Sequence, residues 1–289
     1  VVGPTAVGKT RLAEVLSKKY DAIVVNCDAM QVYREMNIGT VKYTAIEDLG
    51  QPHHLFDIVD PDYVYTVYDY QKDLRKVISD NDGRNVVLVG GTGLYLKAGL
   101  YNYEFTERCE TCQFEGYSNL QLYELLEDRG LTDGIHLNNR RRMIARLNST
   151  GNSKKKDEIL YENVYIIGLT TDRHTLYDKI DRRVEAMMEE GLLEEVERLY
   201  EKYGLTKAMK TGIGYKELIA YFKGLLTLKE AVELIKQKSR KYAKRQYTWF
   251  EHQMDVRWFQ TNYENFDETI DEISRYIEDE SYCFFHIVI

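Results

Sequence analysis

The eight residues Gly3-Pro4-Thr5-Ala6-Val7-Gly8-Lys9-Thr10 constrain this chain more than any other feature. They fit G-x-x-x-x-G-K-[ST] and lie between a β-type pair, Val1-Val2, and a helix-forming stretch from Arg11 to Lys19. In that context the glycines let backbone N–H groups turn inward around an anion, and the helix N-terminus adds the positive end of its dipole. Lys9 supplies a point charge, and the Thr10 hydroxyl can ligate Mg²⁺. A phosphate-binding loop in an α/β fold is the expectation.

The pattern after the loop agrees with that class. Short β-type runs, Ala22 to Val25 and Val86 to Val89, alternate with helical stretches such as Tyr68 to Ser79, as in βαβ units with a parallel sheet. From about Tyr101 the sequence turns polar and helix-prone, and a buried strand returns at Val164 to Leu169. The expected architecture is a P-loop NTPase-like parallel sheet flanked by helices, formed by residues 1–100 and 161–289. A mainly helical module, residues 101–160, is inserted, and the C-terminal part is helical. Leu176, Ile180, Val184, Met187 and Met188, then Leu192, Leu193, Val196 and Leu199 after Gly191, recur at helical spacing. Leu228 to Phe250 reads as a second long helix.

Composition narrows the partners. A net charge of −8 argues against indiscriminate nucleic-acid binding, because that affinity comes from Lys and Arg neutralising phosphates. Two local clusters run the other way: Arg140-Arg141-Arg142 with Arg146 and Lys154 to Lys156, and six basic residues from Lys236 to Arg245. Taken alone, such runs are usually solvated helix faces. The four cysteines, Cys27, Cys109, Cys112 and Cys283, are too few and scattered for a disulfide framework, so reduced thiols are expected. Neither Cys109-Glu-Thr-Cys112 nor His53-His54 has the partners that a zinc site requires. Apolar runs are too short for a membrane span, and a cytoplasmic protein is expected.

A P-loop binds phosphates, and other residues decide which reaction the bound group undergoes. NTP-hydrolysing relatives usually hold Mg²⁺ with an acid at the end of a hydrophobic strand. Val86 to Val89 leads instead into Gly90-Gly91-Thr92-Gly93. The acid near a strand tip is Asp28, beyond Val25-Asn26, and two roles compete for it: a metal-associated carboxylate, or a base aimed at an acceptor opposite the phosphates.

Several runs together resemble one family. Asp28-Ala29-Met30-Gln31-Val32-Tyr33, Ile38-Gly39-Thr40, Pro52-His53-His54-Leu55 with Asp57, and Gly90-Gly91-Thr92-Gly93-Leu94-Tyr95 look like the N-terminal half of the tRNA dimethylallyltransferase family. Arg182-Arg183-Val184, Gly191 to Val196, Ile213-Gly214-Tyr215-Lys216-Glu217, and Tyr242-Ala243-Lys244-Arg245-Gln246 with Thr248-Trp249-Phe250 resemble its second half. The resemblance spans residues 1–250. It implies that Gly3 to Thr10 hold the diphosphate of dimethylallyl diphosphate, with Mg²⁺ on Thr10 and Lys210 beside the diphosphate. It further implies that Asp28 accepts a hydrogen bond or proton from an adenine amine. Asp28, Ala29, Met30, Gln31 and Thr92 would meet the target nucleotide, an adenosine next to the anticodon that is flipped into a buried channel. Arg141, Arg142 and Arg146 of the insertion, with Lys244, Arg245 and Gln246, would grip the anticodon stem-loop of tRNA. A monomer is expected.

The chain departs from the family pattern in places. Arg142-Met143-Ile144-Ala145-Arg146-Leu147 reverses the usual Arg-Ala order, the insertion is short, Lys210 stands where some members carry Arg, and Tyr43 replaces a customary Pro. Three other readings share the P-loop: an adenylate isopentenyltransferase acting on free nucleotide, a nucleotide kinase, and a catalytically silent RNA-binding relative.

Overall fold

A computed structural model of the chain describes residues 1–42, 50–105, 114, 116–147 and 158–280. Tyr43, Cys109, Cys112, Lys154 to Lys156 and the apolar run from Cys283 to Ile289 lie outside the described residues. Two compact units emerge, Val1–Leu100 with Ile159–Ile289, and Tyr101–Glu158.

The larger unit is built on parallel strands. α1 (Lys9–Lys19) leads to β1 (Ala22–Asn26), β2 (His53–His54), α2 (Val67–Asp80), β3 (Asn85–Val89) and α3 (Gly93–Leu100). β1 is flanked by β2 and β3, and all three run parallel. Of the segments beyond the insertion, β4 (Ile167–Thr170), whose start lies three residues later than the apolar run at Val164 suggests, pairs in parallel with β5 (Arg257–Gln260). Val1-Val2 joins the two groups. Val2 N–H donates to Ile167 at 2.8 Å and Leu169 N–H to Val2 at 3.0 Å, while Gly90 N–H donates to Val1 at 3.3 Å on the other side. The spatial order is therefore β2, β1, β3, Val1-Val2, β4, β5, and the P-loop leaves from the middle of the sheet. In open parallel sheets ligands bind outside the carboxyl ends of the strands, where that loop lies.

The core follows from the pattern. Leu12, Ala13 and Leu16 of α1 are fully buried against Val24, Val87 and Leu169, with Ile270, Ile273 and Ile277 of α11 (Phe266–Glu280) in the same cluster. Each buried leucine contributes about 1.5–3 kcal/mol relative to exposure. The helical remainder runs α6 (Arg173–Glu189), α7 (Leu192–Tyr203), α8 (Lys207–Thr211), α9 (Tyr215–Phe222) and α10 (Leu228–Gln253). Gly191 separates α6 from α7 with φ 99°, a left-handed value that glycine adopts without strain. α10 starts at a reciprocal cap in which Thr227 and Glu230 bond each other's backbone N–H groups.

The smaller unit holds α4 (Asn119–Asp128) and α5 (Arg140–Leu147) around Phe114, Leu122, Leu126, Ile135, Met143 and Leu147. Arg140 is spent internally, donating to the carbonyls of Tyr117 and, at 3.0 Å, of Phe114. Arg141 and Arg142 are exposed, whereas Arg146 is half-buried.

Candidate active site

A cavity of about 700 Å³ opens at the carboxyl ends of the strands, within the larger unit. Three sequence signals meet there: the P-loop, the turn after β1, and the loop after β3.

The P-loop divides its labour. Thr5, Ala6, Gly8, Lys9 and Thr10 line the cavity. Gly3, Pro4 and Val7 do not; they are buried and shape the turn. At Gly3 φ is 132° and a side chain would strike the Leu169 carbonyl at 2.5 Å. The loop is tied from behind by Thr261, whose hydroxyl donates to Val7 at 3.1 Å, and by Tyr263, whose hydroxyl donates to Ala6 at 3.0 Å. Lys9 Nζ donates to the Pro4 carbonyl at 2.6 Å. Burial, with the Arg183 guanidinium adding to it, pushes the Lys9 ammonium down to about 7, against an opposing pull from Asp28.

Asp28 is set by its predecessor. The fully buried Asn26 side chain accepts from the Asp28 N–H at 2.8 Å and donates to the carbonyls of Asp28 at 3.0 Å and Leu55 at 2.9 Å. Asp28 Oδ1 then accepts from the Met30 N–H at 2.9 Å, which closes a short turn and holds the carboxylate in the cavity wall. The Thr92 hydroxyl accepts from the Ala29 N–H at 3.0 Å, so the acid-bearing turn and the loop after β3 are one unit. Side chains are excluded from that loop by close approach: a Cβ on Gly90 would lie 2.1 Å from the Cys27 carbonyl, and one on Gly91 would lie 2.0 Å from Gln246 Nε2. Gly90, whose clash is with backbone, is thus a steric necessity here, whereas at Gly91 the Gln246 side chain would have to give way. Cys27, behind them, is a free buried thiol that burial pushes up to about 12, which leaves it inert.

Two expected roles move. Gln246 is buried, and its amide is consumed by the fold: Oε1 accepts from Thr5 N–H at 3.1 Å and Nε2 donates to the Gly91 carbonyl at 3.0 Å. It braces the cavity that it lines, and both polar atoms of its amide are engaged within the fold. Lys210 is exposed on α8 and does not line the cavity, although its neighbours Thr211 and Gly212 do. The basic run on α10 also divides. Lys236 pairs with Glu185 at 2.7 Å, Lys238 with Glu217 at 2.6 Å and Arg240 with Asp181 at 2.5 Å. Lys244 and Arg245 remain exposed, with Arg245 over the Tyr242 ring at 5.5 Å.

Other residues enter that motif reading did not assign. Arg183 lines the cavity with Asp28 and Lys9 and makes no hydrogen bond or ion pair of its own among the described residues. Burial holds its pKa below the usual arginine value against the pull of Asp28. Its signal was an arginine three residues after Ile180, inside an apolar stripe. Tyr242 lines the same space, with burial and the nearby Asp28 both raising its phenol. Among the described residues no group of three or more His, Cys, Asp or Glu could hold a metal, and no helix is long and apolar enough to cross a membrane.

A P-loop that opens on a roomy, half-apolar cavity, with a carboxylate and a half-buried arginine lining it and no acid after β3, defines an enzyme that binds a phosphorylated substrate for group transfer rather than for nucleotide hydrolysis. Comparison with known proteins makes the assignment specific. The IPP transferase family model matches residues 31–253. The tRNA dimethylallyltransferase of Bacillus subtilis (strain 168) is 46% identical over 280 residues, covering 90% of this chain and 89% of that protein. That of Anoxybacillus flavithermus is 43% identical and covers 96% and 95%. Among solved structures, the tRNA delta(2)-isopentenylpyrophosphate transferase of Staphylococcus epidermidis superposes with a TM-score of 0.75 at 36% identity, covering 97% of this chain and 98% of that one. A eukaryotic dimethylallyltransferase acting on tRNA gives 0.80 at 25% identity over 96% and 77%. The chain belongs to the IPP transferase family.

Proposed function

We propose that this enzyme moves a dimethylallyl group from dimethylallyl diphosphate to the N6 amine of an adenosine next to the anticodon in tRNA. The observation that carries the reading is the shared cavity, which is lined by the P-loop, Arg183, Asp28 and Thr92 together. In the reaction the allylic C1–O bond breaks, the C1–N6 bond forms, diphosphate leaves with the bonding pair, and one N6 proton departs. An allylic carbon ionises readily, so the protein's task is to stabilise the departing diphosphate and to position the amine.

The P-loop amides, Lys9 and Arg183 receive the negative charge. Lys9, now folded onto the Pro4 carbonyl, exchanges that bond for phosphate oxygen and regains a full charge as it does so. An exocyclic adenine amine is a poor nucleophile until its proton has somewhere to go. Asp28 Oδ2, which accepts no hydrogen bond among the described residues, takes it up as the C–N bond forms. Val184, Met187, Ile213 and Ile235 supply apolar wall for the prenyl chain and keep water from the electrophile.

The residues present fit Mg²⁺. Thr10 lines the cavity, and one hydroxyl is a sufficient protein ligand for an ion that draws its other ligands from water and phosphate. Such an ion would neutralise diphosphate charge. Lys244 and Arg245 of α10, and Arg141 and Arg142 of the insertion, are exposed cations available to RNA phosphates.

The test is mass spectrometry of unmodified tRNA after incubation with the protein, Mg²⁺ and dimethylallyl diphosphate, beside a reaction with AMP. Prenylated tRNA is expected, and modification of AMP alone would select the free-nucleotide reading. Asp28→Ala should lower kcat by about 10²–10⁴ while RNA affinity holds. An equal loss of both would remove the base assignment.

A further inference from the structure

The segment from Tyr33 to Lys42 forms part of the cavity wall, through Gly39, Thr40 and Val41, and its internal turn bonds, such as Val41 N–H to the Ile38 carbonyl at 3.0 Å and the Thr40 hydroxyl to the Met36 carbonyl at 2.6 Å, leave the N–H groups of residues 37–39 to partners elsewhere. Glu35 and Val41 hold positive φ values of 62° and 48°, which non-glycine residues rarely adopt. The shape is closed by bonds within the segment and to other segments. Lys42 is buried and donates to the Tyr33 carbonyl and Asp57 Oδ1, each at 2.5 Å. Glu35 is held by Arg198, by Lys202 at 2.6 Å and by the Tyr203 hydroxyl at 3.0 Å.

Between these anchors lies Glu195 of α7, 6% exposed. Its carboxylate accepts from three successive backbone N–H groups, Asn37 at 3.0 Å, Ile38 at 2.8 Å and Gly39 at 3.1 Å. Its fourth partner is the Tyr215 hydroxyl at 2.6 Å, 1% exposed. The helix dipole explains an acid in the first turn of α7, and the exposed Glu194 satisfies that preference. It does not explain a carboxylate buried against four donors on other segments. Tyr215 opens α9 directly after the Thr211-Gly212-Ile213 wall, so one carboxylate ties two walls of the cavity together. The wall it fixes touches the acceptor side. Gln31 Nε2 donates to the Thr40 carbonyl at 3.0 Å, and Gln31 belongs to the Asp28 turn. No hydrogen bond or ion pair joins Glu195 to the P-loop among the described residues.

We infer that Glu195, with Tyr215, is a positioning residue for the acceptor: it holds residues 37–41 in the form that receives the adenosine, leaving the diphosphate site untouched. This rests on the function proposed above. The experiment compares wild type, Glu195→Gln and Tyr215→Phe for transfer from dimethylallyl diphosphate to an anticodon stem-loop RNA, together with amide hydrogen exchange. Glu195→Gln turns an amide NH₂ toward N–H donors. Its kcat/KM for RNA should fall about tenfold or more while KM for the diphosphate stays within about twofold, and the amides of residues 37–39 should lose protection. Tyr215→Phe should move both readouts the same way by less, and it carries the test if Glu195→Gln does not fold. Unchanged RNA kinetics, a parallel rise of both KM values, or unchanged protection at 37–39 would overturn the inference. Failure of the wild-type protein to prenylate RNA would instead defeat the proposed function, and the exchange readout would still decide whether Glu195 holds the segment.

Discussion

Gln246 of α10 accepts a hydrogen bond from the backbone N–H of Thr5 at 3.1 Å, so a helix near the end of the chain sets the shape of a loop at its beginning. The same amide reaches the Gly91 carbonyl at 3.0 Å. Lys244 and Arg245, its immediate predecessors on the helix, are exposed, and Arg245 also lines the cavity.

Gln246→Ala should leave the buried Gly91 carbonyl unsatisfied, at a cost of about 1–3 kcal/mol, and free the part-buried Thr5 N–H of the P-loop. A lowered Tm and a raised KM for dimethylallyl diphosphate are expected, with RNA affinity little changed. Thermal melts and steady-state kinetics check both.

Lys244→Ala and Arg245→Ala should weaken RNA binding across sequences, and each should reduce the slope of log K against log salt by about one unit. Lys238→Ala should leave that slope unchanged and destabilise the fold, because its ammonium neutralises the Glu217 carboxylate, which is 1% exposed. Fluorescence titration of an anticodon stem-loop at several salt concentrations separates the two classes.

Arg183→Ala should raise KM for the diphosphate donor about 10- to 100-fold, the range expected when a charge-assisted hydrogen bond is lost. Lys210→Ala should leave it unchanged, because that side chain is exposed and outside the cavity wall. Measuring both variants in one assay tests which of the two cations serves the diphosphate.

Lys9 gives a pH signature. Its folded value of about 7 lies below the ordinary lysine value of 10.5. Between those limits the unfolded chain binds the extra proton, so this group makes stability rise with pH from 7 toward 10.5; below 7 its burial penalty is fully present. Diphosphate restores the charge. Binding of inorganic diphosphate at about pH 8 should therefore take up protons, and calorimetry in buffers of different ionisation enthalpy should show that uptake reduced in Lys9→Met.

Local chemistry made much of this site legible in the sequence. A glycine loop between strand and helix can do little except bind an anion, and an acid just past a strand tip lies at the mouth of a parallel sheet. Residues 3–10 and Asp28 were marked by such rules, whereas Thr92 was marked by the family resemblance of its run. Lys210 and Gln246 show where those rules stop. Both lie in segments that approach the cavity, and spacing alone does not say which way a helix turns each side chain.

What only the tertiary structure decided is the set of long-range partners. The carboxamide of Gln246 is claimed by Thr5 and Gly91, half the basic run is claimed by Glu185, Glu217 and Asp181, and Glu195 holds a segment 156 to 158 residues away. Residue type sets what a side chain can donate or accept; which partner it meets depends on how distant segments pack, and burial then makes that partner obligatory.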